Sequence, residues 1–149
     1  MPSFRLSALI FCGLSLATSV CAALEFKSVA NAPAIMFDAP SQKGKKVFIA
    51  PRGMPVEVVL TYGEWSKVRD ASGGLAWLES KALSNKRNVL VQVASAKIRA
   101  TPDEAGFIVF TAEKGVLLEL GEPPASGWLK VKHRDGLTGY AKVNEIWGI

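Results

Sequence analysis

The sequence predicts an all-β protein: two tandem small β-barrels preceded by a signal peptide. An internal repeat is the first observation behind this prediction, because residues 29–57 match residues 91–119 at ten of 29 positions. Chance would give about two matches at typical residue usage. The second observation is strand-like patterning in both copies, with no sustained helical period after the N-terminal segment. The third is an apolar N-terminal segment typical of exported proteins.

Residues 1–23 are predicted to be a cleaved signal peptide. Arg5 supplies the positive start, an apolar stretch of 15 residues begins at Leu6, and small residues follow it. Cleavage after Ala22 or Ala23 fits this pattern best. A bilayer-spanning helix needs about 20 apolar residues, so this stretch is short for an anchor. No later apolar run is longer, and we therefore expect a periplasmic or secreted protein without a membrane span after signal cleavage.

Composition narrows the possible chemistry. The chain has 149 residues, of which 49% are hydrophobic and 21% charged, which is typical of a folded protein rather than a disordered one. Its formal net charge is +5, and after residue 23 the balance is 17 Lys and Arg against 13 Asp and Glu, or +4. Both cysteines, Cys12 and Cys21, fall in the predicted signal. A mature chain without cysteine has no disulfide, thiol nucleophile or thiolate metal site.

The repeat divides the mature chain into two units of about 60 residues. A one-residue insertion changes the shift from 62 to 63, and at that shift the identical pairs are Trp65/Trp128, Lys67/Lys130, Val68/Val131 and Gly73/Gly136. We predict a first barrel over residues 26–85 and a second over 88–149. The segment between them is polar, basic and short, which favours two domains held close together.

Each unit is predicted to consist of short strands joined by tight turns. Val56 to Leu60 is β-branched and short, and Trp65 to Arg69 alternates in the manner of a strand with one buried face. Trp128 to Lys132 repeats that pattern. The turns and return strands are Ser72-Gly73-Gly74, Asp135-Gly136, Leu75 to Leu78 and Thr138 to Ala141. Five or so short strands bury their inner faces by curling into a small barrel.

With these elements in order, each unit resembles a bacterial SH3-like domain. The first carries Ala39-Pro40-Ser41, Arg52-Gly53, Glu64-Trp65-Ser66-Lys67-Val68-Arg69, Gly73 and Ala76-Trp77. The second carries Ala100-Thr101-Pro102, Lys114-Gly115, Gly127-Trp128-Leu129-Lys130-Val131-Lys132, Asp135-Gly136 and Gly139-Tyr140. The resemblance covers nearly all of residues 26–147. It implies tandem SH3-like barrels, in which aromatic residues line a ligand groove.

Catalysis finds little support in the sequence. His133 is the single histidine and lies at a predicted hairpin, which is typical of a solvated turn residue. Asp103 and Glu104 are adjacent, and adjacent residues of an extended chain point apart, so they make a poor acid/base pair. Clusters of metal ligands and phosphate-binding loops are lacking. We expect a protein that is not an enzyme and that uses neither metal nor cofactor.

Duplicated aromatic and basic residues are the candidate binding residues. Trp65 and Trp128 offer apolar faces suited to a shallow groove, although packing inside the barrel is the equal alternative. The predicted ligand-binding residues are Trp65, Lys67, Arg69, Trp128, Lys130 and Lys132. Trp77 and Tyr140 lie mid-strand among apolar neighbours, so we expect them in the core. Trp147 is expected to dock the chain end on a barrel.

The leading functional prediction is a non-catalytic exported binding module of the bacterial cell envelope. It would recognise cell-wall peptide, peptidoglycan or an envelope protein. Two linked weak sites, one on each barrel, would raise the overall affinity if both bind one polymer. The alternative is a structural or assembly protein whose barrels pack on a partner without a groove for a small ligand. Export makes a nucleic-acid partner improbable.

Overall fold

The computed structural model describes residues 23–30 and 33–149. The predicted signal peptide therefore lies outside the described residues, apart from Ala23. Two one-turn 3-10 helices, Ser80–Ala82 and Val143–Glu145, are the helices of this part of the chain, and the remaining regular structure is β. Neither helix is long or apolar enough to cross a bilayer. The predicted all-β class is confirmed.

Seven strands come from each copy of the repeat. The first copy gives β1 Glu25–Val29, β2 Ala34–Phe37, β3 Lys46–Ala50, β4 Pro55–Tyr62, β5 Trp65–Arg69, β6 Leu75–Glu79 and β7 Leu83–Ser84. The second gives β8 Asn88–Val91, β9 Ser95–Arg99, β10 Ile108–Glu113, β11 Leu117–Ala125, β12 Trp128–Lys132, β13 Thr138–Lys142 and β14 Ile146–Trp147. The predicted strands at β4, β5, β6, β12 and β13 are confirmed.

The two copies have the same topology. Each forms one antiparallel sheet, in the order β3-β2-β6-β5-β4-β1-β7 and β10-β9-β13-β12-β11-β8-β14. Since the strands correspond one to one, the sequence repeat is a repeat of structure. Seven strands exceed the five or so that we predicted, and the last strand of each copy, β7 or β14, has two residues, which are too few to show a period of their own. No pairing joins the edge strands β3 and β7, or β10 and β14, within the described ranges.

Each sheet is curved around a core of its own. The first core is built from small and medium apolar side chains: Val29, Ala34, Met36, Ala50, Val56, Val68, Ala76 and Leu78. The second has the same character: Val89, Val91, Ala96, Ile98, Ala112, Leu118, Leu129, Val131, Ala141 and Ile146. Burying a valine, leucine, isoleucine or methionine side chain contributes about 1.5–3 kcal/mol, so each unit carries its own hydrophobic stabilisation.

Close packing of the strands explains one glycine of the second copy. A Cβ atom at Gly139 would lie 2.7 Å from the carbonyl oxygen of Arg99 and 2.7 Å from a methyl group of Ile98. Only a glycine fits that approach between β13 and β9. The first copy has Ala76 at the corresponding position, and its side chain is part of the core.

The two units meet through the linker and the C-terminal strand. The Asn88 amide nitrogen donates to Ser28 Oγ at 3.1 Å, and Asn88 Nδ2 donates to the Gly53 carbonyl at 2.9 Å. The rings of Phe26 and Trp147 pack edge to face, with centroids 5.2 Å apart. Trp147 thus docks the chain end, as predicted, and its partner ring belongs to the first unit. These contacts join the units in one arrangement.

The same junction also holds an arginine of the linker. Arg87 Nη2 donates to the Gly148 carbonyl at 2.8 Å, and its guanidinium lies 5.7 Å from the ring centroid of Phe26. The Leu120 amide donates to the Arg87 carbonyl at 3.0 Å. The linker is therefore bonded to β11, to the chain end and to the first unit. It acts as part of the junction rather than as a flexible tether.

We predict measurable coupling between Phe26 and Trp147. In a double-mutant cycle of Phe26→Ala, Trp147→Ala and the double variant, denaturant unfolding should give a coupling energy of about 0.5–1.5 kcal/mol. Trp147→Ala alone should cost less than the about 3–5 kcal/mol of a fully buried aromatic residue, because Trp147 is half-buried. Ile49, which is 65% exposed, supplies the control. Phe26→Ala combined with Ile49→Ala should be additive, and additivity of the Phe26/Trp147 pair would contradict the coupling.

Candidate functional site

The six predicted binding residues lie on the outer faces of β5 and β12. In the first copy Ser66 and Val68 face the core, while Trp65, Lys67 and Arg69 share the opposite face and are half-buried. In the second copy the buried residues are Leu129 and Val131, and the outer ones are Trp128, Lys130 and Lys132. The pleat therefore places each predicted set on one surface.

A buried serine lies where we expected an apolar inner face for β5. The hydroxyl of Ser66, which is 3% exposed, shares a 2.7 Å hydrogen bond with that of Ser80 at the start of the first 3-10 helix. Because the hydroxyl is paired, its burial is tolerated. The bond also fixes the 3-10 helix against β5, next to Trp65.

Trp65 packs on the outside of the first sheet and not in its core. Its ring meets that of Phe37 edge to face, with centroids 5.6 Å apart, and its register partner on β6 is Glu79. Phe37 is 6% exposed, although it is no member of the core cluster. An aromatic cluster thus covers the outer face at the junction of β2, β5 and β6.

The expectation that Trp77 and Tyr140 lie in the core is wrong. Both are half-buried on the outer face, because their strand neighbours, Ala76 and Ala141 among them, turn inward instead. Lys67 Nζ lies 5.8 Å from the ring centroid of Trp77, within the range of a cation–π contact. These aromatic residues extend the outer surface of the two sheets.

The predicted cations have different roles in the two copies. Arg69 is paired with Glu57 at 2.7 Å, and Lys130 with Glu122 at 3.0 Å, so both are engaged within their own sheets. The hydrogen bond that the Lys130 ammonium donates to Glu122 is the main cause that raises the pKa of Lys130. Lys132 is exposed, and no carboxylate among the described residues lies within 4.0 Å of its ammonium. The duplicated cations therefore do not form two equivalent basic surfaces.

A groove in the first copy runs beside the first 3-10 helix. One part of about 400 Å³ is lined by Pro33, Ala34, Ile35, Phe37, Gln42, Lys46, Glu79 and Ala82. A second part of about 210 Å³ is lined by Glu64, Glu79, Ser80 and Lys81. Glu79 belongs to both parts. Trp65 lies behind this groove, in contact with its wall at Phe37.

Glu79 is the charged centre of the first groove. Its carboxylate accepts from Lys81 Nζ at 2.9 Å and from Gln42 Nε2 at 2.6 Å. The hydrogen bond from Lys81, followed by that from Gln42, lowers the pKa of Glu79. The same pair raises the pKa of Lys81. Glu79 therefore stays ionised at neutral pH.

A second groove occupies the corresponding place in the second copy. It measures about 410 Å³ and is lined by Glu104, Gly127, Trp128, Lys142, Val143 and Asn144. Trp128 forms its wall directly, and Lys142 Nζ lies 6.0 Å from the centroid of that ring. Gly127 has a φ of +83°, which glycine adopts readily, and this turn presents Trp128 at the start of β12.

The sign of the charge changes at one duplicated position of the two grooves, although the charged lining residues of each groove sum to zero. Glu79 corresponds to Lys142 at a shift of 63, and Gln42 corresponds to Glu104 at a shift of 62. Lys142 Nζ is paired with Glu104, and this hydrogen bond is the main cause that lowers the pKa of Glu104. Sequence reasoning placed none of these four residues in a groove, and it considered Glu104 only for acid/base chemistry. The signal that could have found them is a change of charge at duplicated positions.

The residues considered for catalysis are engaged in turns. His133 Nδ1 lies 3.0 Å from an oxygen of Asp135, and its ring is tilted against that of Phe110. Asp103 accepts hydrogen bonds from Thr101 and from the Ala105 amide, and the Thr101 bond is the main cause that lowers its pKa. No cluster of three potential metal-ligating side chains is present in the part of the chain that is described.

Comparison with known families identifies the repeat. A family model described as bacterial SH3 domain matches the chain twice, at residues 30–85 and 92–148, which together make up most of its length. The tandem resemblance inferred from the sequence is confirmed. No curated protein matches the chain.

Comparison with solved structures finds matches that include two from Trichomonas vaginalis and one from Bacillus cereus. NlpC2 from T. vaginalis is 12% identical with a TM-score of 0.40, over 83% of this chain and 48% of that one. NlpC1 from T. vaginalis is 14% identical with a TM-score of 0.40, over 91% and 50%. An NlpC/P60 family protein from B. cereus ATCC 10987 is 17% identical with a TM-score of 0.38, over 82% and 55%. The chain spans about half the length of each.

We predict that Lys142→Met raises the pKa of Glu104. A carboxyl group with a lowered pKa contributes stability above its ordinary pKa and loses that contribution as the pH falls through the lowered value. Carbon-detected NMR titration of the glutamate side chains measures the shift directly. Lys114→Met removes the same charge from another part of the second unit and should leave Glu104 unchanged. If Glu104 titrated identically in the wild type and in Lys142→Met, Lys142 would not be the cause of its lowered pKa.

Proposed function

Because the chain belongs to the bacterial SH3 domain family, we propose that it is an exported, non-catalytic binding module of the bacterial cell envelope. Its ligand is a peptide, the peptidoglycan that carries such peptides, or a partner protein. The observation that carries the proposal is the pair of grooves at corresponding positions of the two copies, one walled by Trp128 and the other backed by Trp65.

The second groove supplies the clearest binding chemistry. The half-buried Trp128 offers an apolar face and an N–H donor, and Lys142 and Glu104 place one cation and one anion beside it. A peptide has the complementary groups, since it carries amide donors, carboxylates and amines along an extended backbone. Lys142 is in reach of a ligand carboxylate, while Trp128 covers the neighbouring apolar atoms.

The first groove carries its charges at different positions from the second. Glu64 and Glu79 line it, with Lys46 and Lys81 as the balancing cations. An amine of the ligand is favoured beside Glu64, where a carboxylate is favoured at Lys142. Two weak sites on one chain raise the overall affinity when a single polymer reaches both of them.

The non-catalytic part of the proposal is supported by the chemistry of the side chains. The single histidine is His133, at a turn next to Asp135. Both cysteines of the chain precede residue 23, within the predicted signal. The cysteine–histidine pair of nucleophilic catalysis therefore lacks its cysteine in the predicted mature chain.

We predict that Trp128→Ala weakens retention on purified peptidoglycan more than Trp65→Ala does. Trp128 lines its groove directly. Trp65 instead contacts the wall of the first groove at Phe37, so the loss of Trp65 affects that groove only through Phe37. Removal of a stacking aromatic residue at a shallow site should cost about 1–2 kcal/mol, or about tenfold in affinity. A co-sedimentation assay with the mature chain measures the bound fraction.

Phe48→Ala is the matched control for this assay, because Phe48 is an exposed aromatic residue outside both grooves. Circular dichroism melting of every variant separates loss of binding from loss of fold. If the wild type and the Trp65→Ala/Trp128→Ala double variant were retained equally on peptidoglycan, the two grooves would not be the binding sites.

An assembly role is the second candidate, and the edge strand β3 favours it. Val47, Phe48 and Ile49 are 47%, 49% and 65% exposed, and β3 ends the first sheet. An open apolar strand edge pairs readily with a strand of another protein. In this role a partner protein adds a strand to β3, and the grooves bind no small ligand.

We predict that a photo-crosslinking residue at position 49 captures a defined envelope protein if assembly is the function. The matched control is the same residue at Leu75, which is 50% exposed on another strand. Crosslinking at position 49 alone supports a partner at β3. Equal yields at both positions, or none at either, would contradict the assembly role.

A further inference from the structure

A cleft between the two units collects most of the excess positive charge of the protein. It measures about 900 Å³ and is lined by Arg52, Gly53, Lys86, Asn88, Gly115, Val116, Leu117, Leu118, Glu119, Lys132, His133 and Arg134. Four cations and one carboxylate give the lining a net +3 with His133 neutral. Residues 23–149 carry 17 Lys and Arg against 13 Asp and Glu, a net +4. Three quarters of the excess charge is therefore concentrated in this cleft.

The cations come from three parts of the chain. Arg52 belongs to the first unit, Lys86 to the linker, and Lys132 and Arg134 to the second unit. The junction holds these parts together, since Asn88 Nδ2 bonds the carbonyl of Gly53, the residue after Arg52, at 2.9 Å. The cleft therefore exists only in the docked pair, and neither unit alone has its full lining.

In the first copy, the end of β5 corresponds to the part of the cleft formed by Lys132 and His133. There Arg69 is neutralised by Glu57 at 2.7 Å, and Glu57 is 9% exposed. The next residue, Asp70, caps its own turn by accepting from the amides of Ser72 and Gly74. The strand end of the first copy is thus closed by internal pairing.

In the second copy, the end of β12 lacks this internal pairing. Glu119, the counterpart of Glu57, is paired with Lys86 of the linker at 3.0 Å, so Lys132 has no carboxylate within 4.0 Å in the described ranges. His133 stands where the first copy has Asp70, and Arg134 where it has an alanine. The remaining nearby acid, Asp135, lies 3.0 Å from His133 Nδ1 and 4.0 Å from Arg134 Nε, and it does not line the cleft. The differences at positions 133 and 134 each make the cleft more positive than the corresponding surface of the first copy.

We propose that this cleft binds a multiply charged oxyanion, a ligand with several phosphate or carboxylate groups. Two guanidinium groups offer paired N–H donors that match such groups in a bidentate manner, and the ammonium groups of Lys86 and Lys132 add point charges. Several cations around one concavity reinforce each other's field and favour a ligand with more than one negative charge. This site is separate from the two grooves and does not rest on the function proposed for them.

Isothermal titration calorimetry of the full mature chain at low ionic strength tests the proposal with two probes. Tripolyphosphate represents phosphate groups and tricarballylate represents carboxylates. Binding of tripolyphosphate alone assigns a phosphate-bearing ligand, binding of tricarballylate alone assigns a polycarboxylate, and binding of both supports a general oxyanion site. Binding of neither overturns the proposal.

Charge-removal variants locate the binding. Lys132→Gln/Arg134→Gln should weaken the bound probe by about tenfold or more, and Arg52→Gln in the other unit by about three- to tenfold. Lys43→Gln/Lys45→Gln removes two exposed cations outside the cleft and should change affinity less than about twofold. If the two double variants weakened probe binding equally, the loss would follow from the net charge of the protein alone, and the proposed site would be wrong. Trp128→Ala, a groove variant, should bind the probe like the wild type.

Discussion

The hydrogen bonds of Asn88 and the packing of Phe26 on Trp147 are the interactions on which the arrangement of this protein depends. They join β1 and Gly53 of the first unit to β8 and the last strand of the second. The junction is not symmetric, because Asn88 is the counterpart of Phe26 and Ser84 is the counterpart of Trp147 at the repeat shifts. The aromatic pair therefore forms once in the described residues, between the two copies.

Small cores explain why the aromatic residues are on the outside. The inner faces of the sheets are filled by valine, alanine, leucine, isoleucine and methionine, and the strands approach so closely that only glycine fits at position 139. A tryptophan has no room in such an interior. The outer faces accept Trp65, Trp77 and Trp128, where each side chain is half-buried.

The sequence was sufficient for the repeat, the family and five of the principal strands, because identity at fixed shifts and short β-branched runs are local signals. It was not sufficient for the side of the sheet on which a residue lies. Leu75-Ala76-Trp77-Leu78 is apolar throughout, so its pattern does not distinguish inward from outward positions. The grooves were missed for another reason: Gln42 and Glu79 bond across 37 residues of sequence. Only the fold brings such residues together.

Divergence between the copies then separates their roles. Trp65 and Trp128 are the same residue in both copies, so each unit has an aromatic residue beside its groove. The charged residues differ, because Glu79 of the first copy stands where the second has Lys142, and Gln42 stands where the second has Glu104. The charges of each lining sum to zero, so the grooves differ in the position of their charges and not in net charge. Duplication alone would give two identical grooves, and the exchange of charge at these two positions makes them different.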